Sequence, residues 1–137
     1  MVEGLAAYAA DLLIALNTHD LERIASFYAD DFEGVDVGLV RPQHGPLERI
    51  QVFASFIRAF PDLQFTGDAL TQDNQVALIW MMTGTHRGSI MRIPPTGRPI
   101  SVRGVSVLTI EDGKIKRALQ IWDTAGFFRS LGLLPEL

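Results

Sequence analysis

The sequence predicts an α+β fold in which three N-terminal helices pack inside a strongly curved antiparallel sheet, giving a cone. Three observations predict it. Apolar residues recur at helical spacing up to about residue 60; from Leu63 onward, runs rich in β-branched and aromatic residues take over; and short turn signals join those runs as hairpins. The 137 residues, 47% hydrophobic, suffice for one core, so a single domain over 1–137 is expected.

Leu5, Ala9, Leu12, Leu13 and Leu16 form an apolar stripe that predicts a first helix from about Glu3 to Asn17, with Glu3 and Asp11 off the stripe. Asn17-Thr18-His19 breaks it. Asp20 can then cap a short helix whose apolar face is Leu21, Ile24, Ala25 and Tyr28, after which Asp30-Asp31 reads as a loop. Gly45-Pro46 opens a third helix with the stripe Leu47, Ile50, Phe53, Ala54 and Ile57, and Pro61 ends it.

A strand near Leu63 to Leu70 turns at Gln72-Asp73-Asn74 into a long strand, Gln75 to about Arg87, in which Gly84 and Gly88 are bending points. The loop Pro94-Pro95-Thr96-Gly97 leads to a strand from Ile100 to Ile110. A Glu111-Asp112-Gly113 hairpin turn follows, then a strand from Lys114 to Trp122. Phe127 to Leu131 reads as a final helical turn stopped by Gly132. The helical stripes fill the narrow end of such a cone, and the open wide end is where a ligand would enter.

Composition removes whole classes of function. With no cysteine, thiol catalysis and Cys-ligated metal are excluded. The net charge is −4, and the only basic cluster, Lys114, Lys116 and Arg117, is too small for a nucleic-acid groove. The longest apolar run, Val76 to Met82, falls far short of the ~20 residues of a membrane span, and the N-terminus does not read as a secretory signal, so a cytoplasmic location is expected. Phosphate-loop, dinucleotide, hydrolase-elbow and zincin motifs are missing. His19, His44 and His86 lack metal-ligand spacing, so the expected mechanism uses neither metal nor cofactor.

Asp123 is the first catalytic candidate. Strict alternation puts Ile115, Arg117, Leu119, Ile121 and Asp123 on one face; if that face lines the cone, Asp123 projects into an apolar pocket, where a desolvated carboxyl can move protons near neutrality. The alternative is that Asp123 only caps the last helical turn through the amides of Ala125 or Gly126. His86 shares a strand face with Trp80 and Met82 and could donate to a developing oxyanion; its alternative is a strand histidine bonded to backbone. Arg103 could pair with Asp123 or with a ligand carboxylate, or sit solvated at a sheet edge. Ser106, Tyr28, Trp80, Trp122 and Phe56, with Phe53 and Phe60, read as core or pocket wall for flat, largely apolar molecules.

Several motifs in this order resemble the SnoaL-like polyketide cyclases, also called ester cyclases, of the nuclear-transport-factor-2-like superfamily. They are Gly84-Thr85-His86-Arg87-Gly88, Ile93-Pro94-Pro95-Thr96-Gly97, Ile110-Glu111-Asp112-Gly113-Lys114-Ile115, and Trp122-Asp123 followed by Leu131-Gly132-Leu133. Asn17-Thr18-His19-Asp20 and Tyr28-Ala29-Asp30-Asp31-Phe32 resemble the superfamily more loosely. The resemblance implies the α+β cone, a homodimer or homotetramer, and a cofactor-free intramolecular aldol condensation of a polyketide-like hydrophobic ligand. Within it, Asp123 matches the family's acid/base aspartate. Where the cyclases place a histidine on the preceding strand, this chain has Ser106. Two other readings remain open at this point: a hydrolase drawing on Asp68 and Arg103, and a non-catalytic small-molecule-binding module.

Overall fold

In the computed structural model, residues 2–136 are described, with side chains from residue 4 onward, so the Glu3 side chain lies outside the described residues. The chain runs α1(Val2–Thr18), α2(Leu21–Ala25), β1(Tyr28–Asp36), β2(Gln43–His44), α3(Gly45–Ala59), β3(Gln64–Gln72), β4(Gln75–Thr85), β5(Pro99–Glu111), β6(Lys114–Trp122) and α4(Thr124–Ser130). Its six strands form one curved, unclosed sheet in the order β2-β1-β6-β5-β4-β3, which wraps around the helices. No helix among the described residues is long and apolar enough to cross a membrane.

The helices form for the reasons their sequences give. Ala9, Leu12, Ala15 and Leu16 of α1 are buried, and Asn17 then ties the helix end to the sheet by bonding both the N–H and the carbonyl of Phe65. His19 takes a left-handed φ of 61° to end the helix, and Asp20 accepts from the Arg23 amide at 3.2 Å to start α2. In α3, Ile50 and Phe53 are buried while Leu47 is 69% exposed, so the predicted stripe begins one turn later than its first apolar residue. The Asp112-Gly113 turn has positive φ at both residues, the conformation that a two-residue hairpin needs to follow strand twist.

Two expectations are corrected. Tyr28 does not belong to the second helix and Asp30-Asp31 is not a loop; both lie in β1, which pairs parallel to β6, so the sheet is mixed rather than wholly antiparallel. Gly84 and Gly88 are instead where other chain segments come close. A side chain at either would meet α3 or the turn after it: Phe60 at 3.1 Å for Gly84, and the Arg58 carbonyl at 2.8 Å for Gly88.

The third difference matters most for the site. Opposite β5, the register of β6 shifts between the pairs Ile110↔Ile115 and Thr109↔Arg117, leaving Lys116 as one extra residue. A bulge of one residue reverses the side-chain alternation beyond it. Ile115 is therefore buried, and so are Ala118 and Gln120, whereas Leu119 and Ile121 lie on the outer face.

Candidate active site

The concave face of the sheet and the inner stripes of α1 and α3 enclose a cavity of about 70 Å³, several times the space one water needs. Leu12, Leu13 and Leu16 line it from α1, and Val52, Phe53 and Phe56 from α3. The strand walls are best described as two rows running across the sheet. In one, Trp122 pairs with Gly104, Gly104 with Trp80, and Trp80 with Gly67. The Trp80 ring occupies the space a Gly104 side chain would fill, and the Trp122 ring does the same at Gly38, so both indoles rest against backbone.

The second row is polar: Asp36 of β1 pairs with Gln120 of β6, and Gln120 with Ser106 of β5. All three are buried and line the cavity. The two rows are bonded to each other. Trp80 Nε1 donates to Ser106 Oγ at 2.9 Å, and the Ser106 hydroxyl donates to Gln120 Oε1, leaving the amide NH2 as that side chain's free donor end. Trp122 Nε1 donates to Asp36 Oδ1 at 2.7 Å, and the Gly38 amide donates to the same oxygen at 2.9 Å. Among the described residues no donor reaches Asp36 Oδ2.

Arg49 of α3 also lines the cavity and is only 7% exposed. Its guanidinium carbon lies 4.3 Å from the Phe53 ring centre, one helical turn on, and Nη1 donates to Gln43 Oε1 at a long 3.4 Å. Among the described residues the only ion pair is Lys116 with Asp31, at 2.5 Å, so Arg49 has no carboxylate partner within reach.

Of the residues expected at the site, Trp80, Met82, Ser106, Trp122, Tyr28 and Phe56 all line this cavity. Asp123, His86 and Arg103 do not. Asp123 follows the bulge and is exposed; its Oδ1 accepts the Gly126 amide at 2.8 Å as the N-cap of α4. Arg103 is exposed on the outer face, where its carbonyl accepts the Asp123 amide. The expectation that the sheet brings Asp123 and Arg103 to the pocket is thus not met, and the reversed alternation in β6 is the reason for Asp123.

His86 lies beyond the end of β4 and is fully buried. It stacks on Phe60 with ring centres 5.3 Å apart, and its Nδ1 meets both the Thr96 hydroxyl at 2.9 Å and the Thr96 amide at 3.1 Å. An amide can only donate, so Nδ1 is the acceptor and the ring proton sits on Nε2. His86 therefore pins the Pro94–Gly97 loop, an arrangement its backbone reinforces by accepting from Gly97 and donating to Arg98. Asp68, the second acid that hydrolysis would draw on, is exposed on edge strand β3 and outside the cavity.

A curved sheet wrapped over helices around an apolar cavity is the cone of the nuclear-transport-factor-2-like and ketosteroid isomerase-like folds. The chain belongs to the SnoaL-like polyketide cyclase family, whose sequence profile matches residues 7–131. Among solved structures it is similar to AclR of Streptomyces galilaeus, a candidate hydroxylase, with 25% identity over 100% of this chain and 90% of that one and a TM-score of 0.89. IdmH of Streptomyces antibioticus, a candidate polyketide cyclase, is 26% identical over 92% and 96% of the two chains, with a TM-score of 0.78. A protein of ketosteroid isomerase-like fold from Catenulispora acidiphila, solved with trimethylamine, shares the fold at 14% identity over 93% of each chain and a TM-score of 0.77. A search of curated proteins found no match.

Proposed function

We propose that the protein is a cofactor-free acid/base enzyme of the polyketide cyclase type, acting on a hydrophobic, carbonyl-rich small molecule, with Asp36 as its proton-transfer group. The observation that carries this reading is that, among the described residues, Asp36 is the sole carboxylate lining the apolar cavity, with Oδ1 fixed by two donors and Oδ2 free. Oδ2 takes a proton from a carbon flanked by carbonyls. The resulting enolate carbon attacks a second carbonyl of the same molecule, and the Asp36 carboxylic acid returns the proton to the new alkoxide. The NH2 end of Gln120, in register with Asp36 across the β1–β6 pair, is the donor for the enolate oxygen, and the aromatic walls hold the flexible chain in a reactive fold. Expected partners are that ligand and a second copy of the chain, met through the outer sheet face.

Proton abstraction is testable without the natural substrate, by following deuterium exchange at C1 of 2-tetralone in D2O by NMR. The wild type should accelerate exchange, Asp36→Asn should lose roughly 100-fold or more, and Asp123→Asn should retain the rate. Loss with Asp123→Asn alone would return the role to the residue that the family resemblance indicates. No acceleration by the wild type would favour a binding module.

A further inference from the structure

Two buried donors beside the cavity have no partner among the described residues: Arg49 Nε and Gln43 Nε2, on side chains only 7% and 5% exposed. They belong to one cluster, since Arg49 Nη1 reaches Gln43 Oε1, and Gln43 sits opposite Gly34 in the β1–β2 pair, where the Phe32 ring and Gln43 Oε1 border the space a Gly34 side chain would fill. Arginine cannot shed its proton, so Arg49 is a cation held out of water with a ring face, one long hydrogen bond and no anion. Asp36 lines the same cavity but spends Oδ1 on Trp122 and Gly38 and makes no ion pair with Arg49. Burying an uncompensated charge is costly, and a cavity wall is where a ligand can supply the missing countercharge.

We propose that Arg49, supported by Gln43, is an oxyanion subsite, and that the ligand carries a carboxylate or an already ionised enol on a flat apolar body. The guanidinium takes the charged oxygens through its planar fork, while Phe53, Phe56, Trp80 and Trp122 sandwich the body. This deepens the reading of the cavity as a polyketide site, since poly-carbonyl chains carry such acidic oxygens, but it concerns ground-state binding and not the proton transfer assigned to Asp36.

Calorimetric titration with 2-naphthoate and its neutral isostere 2-naphthamide tests the subsite. The wild type should bind the carboxylate at least tenfold more tightly than the amide. Arg49→Leu should abolish that preference while keeping the amide's affinity, and Asp36→Asn should keep or enlarge the preference even though it loses exchange activity. Replacing a buried ion with an apolar side chain is commonly tolerated, and the wild-type comparison stands whether or not the variant folds. Equal binding of the two probes by the wild type, no binding of either, or an undiminished preference in Arg49→Leu would overturn the proposal. Failure of the Asp36 assignment would show instead in the exchange rates, with the carboxylate preference intact.

Discussion

Tyr8 illustrates how a single side chain couples this fold to pH. Its hydroxyl donates to the Phe27 carbonyl at 2.7 Å, and its ring meets Phe27 edge to face, which joins α1 to the turn before β1. Burial, with a smaller contribution from neighbouring Tyr28, pushes the hydroxyl up to about 12. A folded value above the unfolded 10.0 means stability that is complete below pH 10 and is lost as pH rises from 10 to about 12. Tyr8 is only half-buried, so solvent screening leaves an effect on the order of 1 kcal/mol. Urea midpoints measured from pH 8 to 12 should fall across that window in the wild type, and the Tyr8 contribution to the fall should vanish in Tyr8→Phe. An unchanged slope in the variant would refute the coupling.

The same scale shows what sequence reading missed. Arg49 falls at helical spacing with Phe53, Phe56 and Phe60, so a charge on that aromatic line was a readable sign of an inward-facing cation. Asp36 was harder to see, because the other inward residues near it in β1 are Phe32 and Gly34, too little apolar alternation to mark a strand.

At the level of elements, most of the secondary structure was legible. The helical stripes, the Asp20 cap, the Asp112-Gly113 turn and the four strands β3 to β6 lie close to where periodicity and turn chemistry put them. What could not be read was the bulge, because it arises from pairing between strands rather than from any pattern within one. Lys116, the extra residue, pairs with Asp31 in the irregular part of β1, which raises the lysine, lowers the aspartate and bridges the parallel seam. Deleting Lys116 should restore simple alternation, turning Gln120 and Trp122 outward and Leu119 and Ile121 inward. Loss of cooperative thermal unfolding by circular dichroism is expected, since every inward contact of β6 beyond the deletion would be replaced. A deletion variant that melts like the wild type would show that the register of β6 is not set by this residue.

For the whole molecule, the convex side of the sheet is the feature with the least explanation inside one chain. Val35, Leu119 and Val107 form one apolar row across three strands, and Ile121, Val105 and Ile79 form a second beside it. Val35, Ile79, Leu119 and Ile121 are each between 39% and 52% exposed. Contiguous apolar strips on a central part of a sheet mark a contact surface, and a second copy is the occupant expected from the sequence. Sedimentation should find a dimer at micromolar concentration and a folded monomer for Ile121→Lys. A monomeric wild type would remove the dimer and leave the cavity reading untouched.

The alternation of tryptophan and glycine across the sheet has a consequence for how this pocket could change its tastes. Because each indole rests on main chain and also anchors a member of the polar row, the bore is gauged by the backbone and cannot be widened by a rotamer flip. Trimming either ring would slacken a hydrogen-bonded strut at the same moment as it enlarged the void. Selectivity in this scaffold is therefore more readily retuned from the helical wall, at Val52 or Leu13, where shape is free of that double duty.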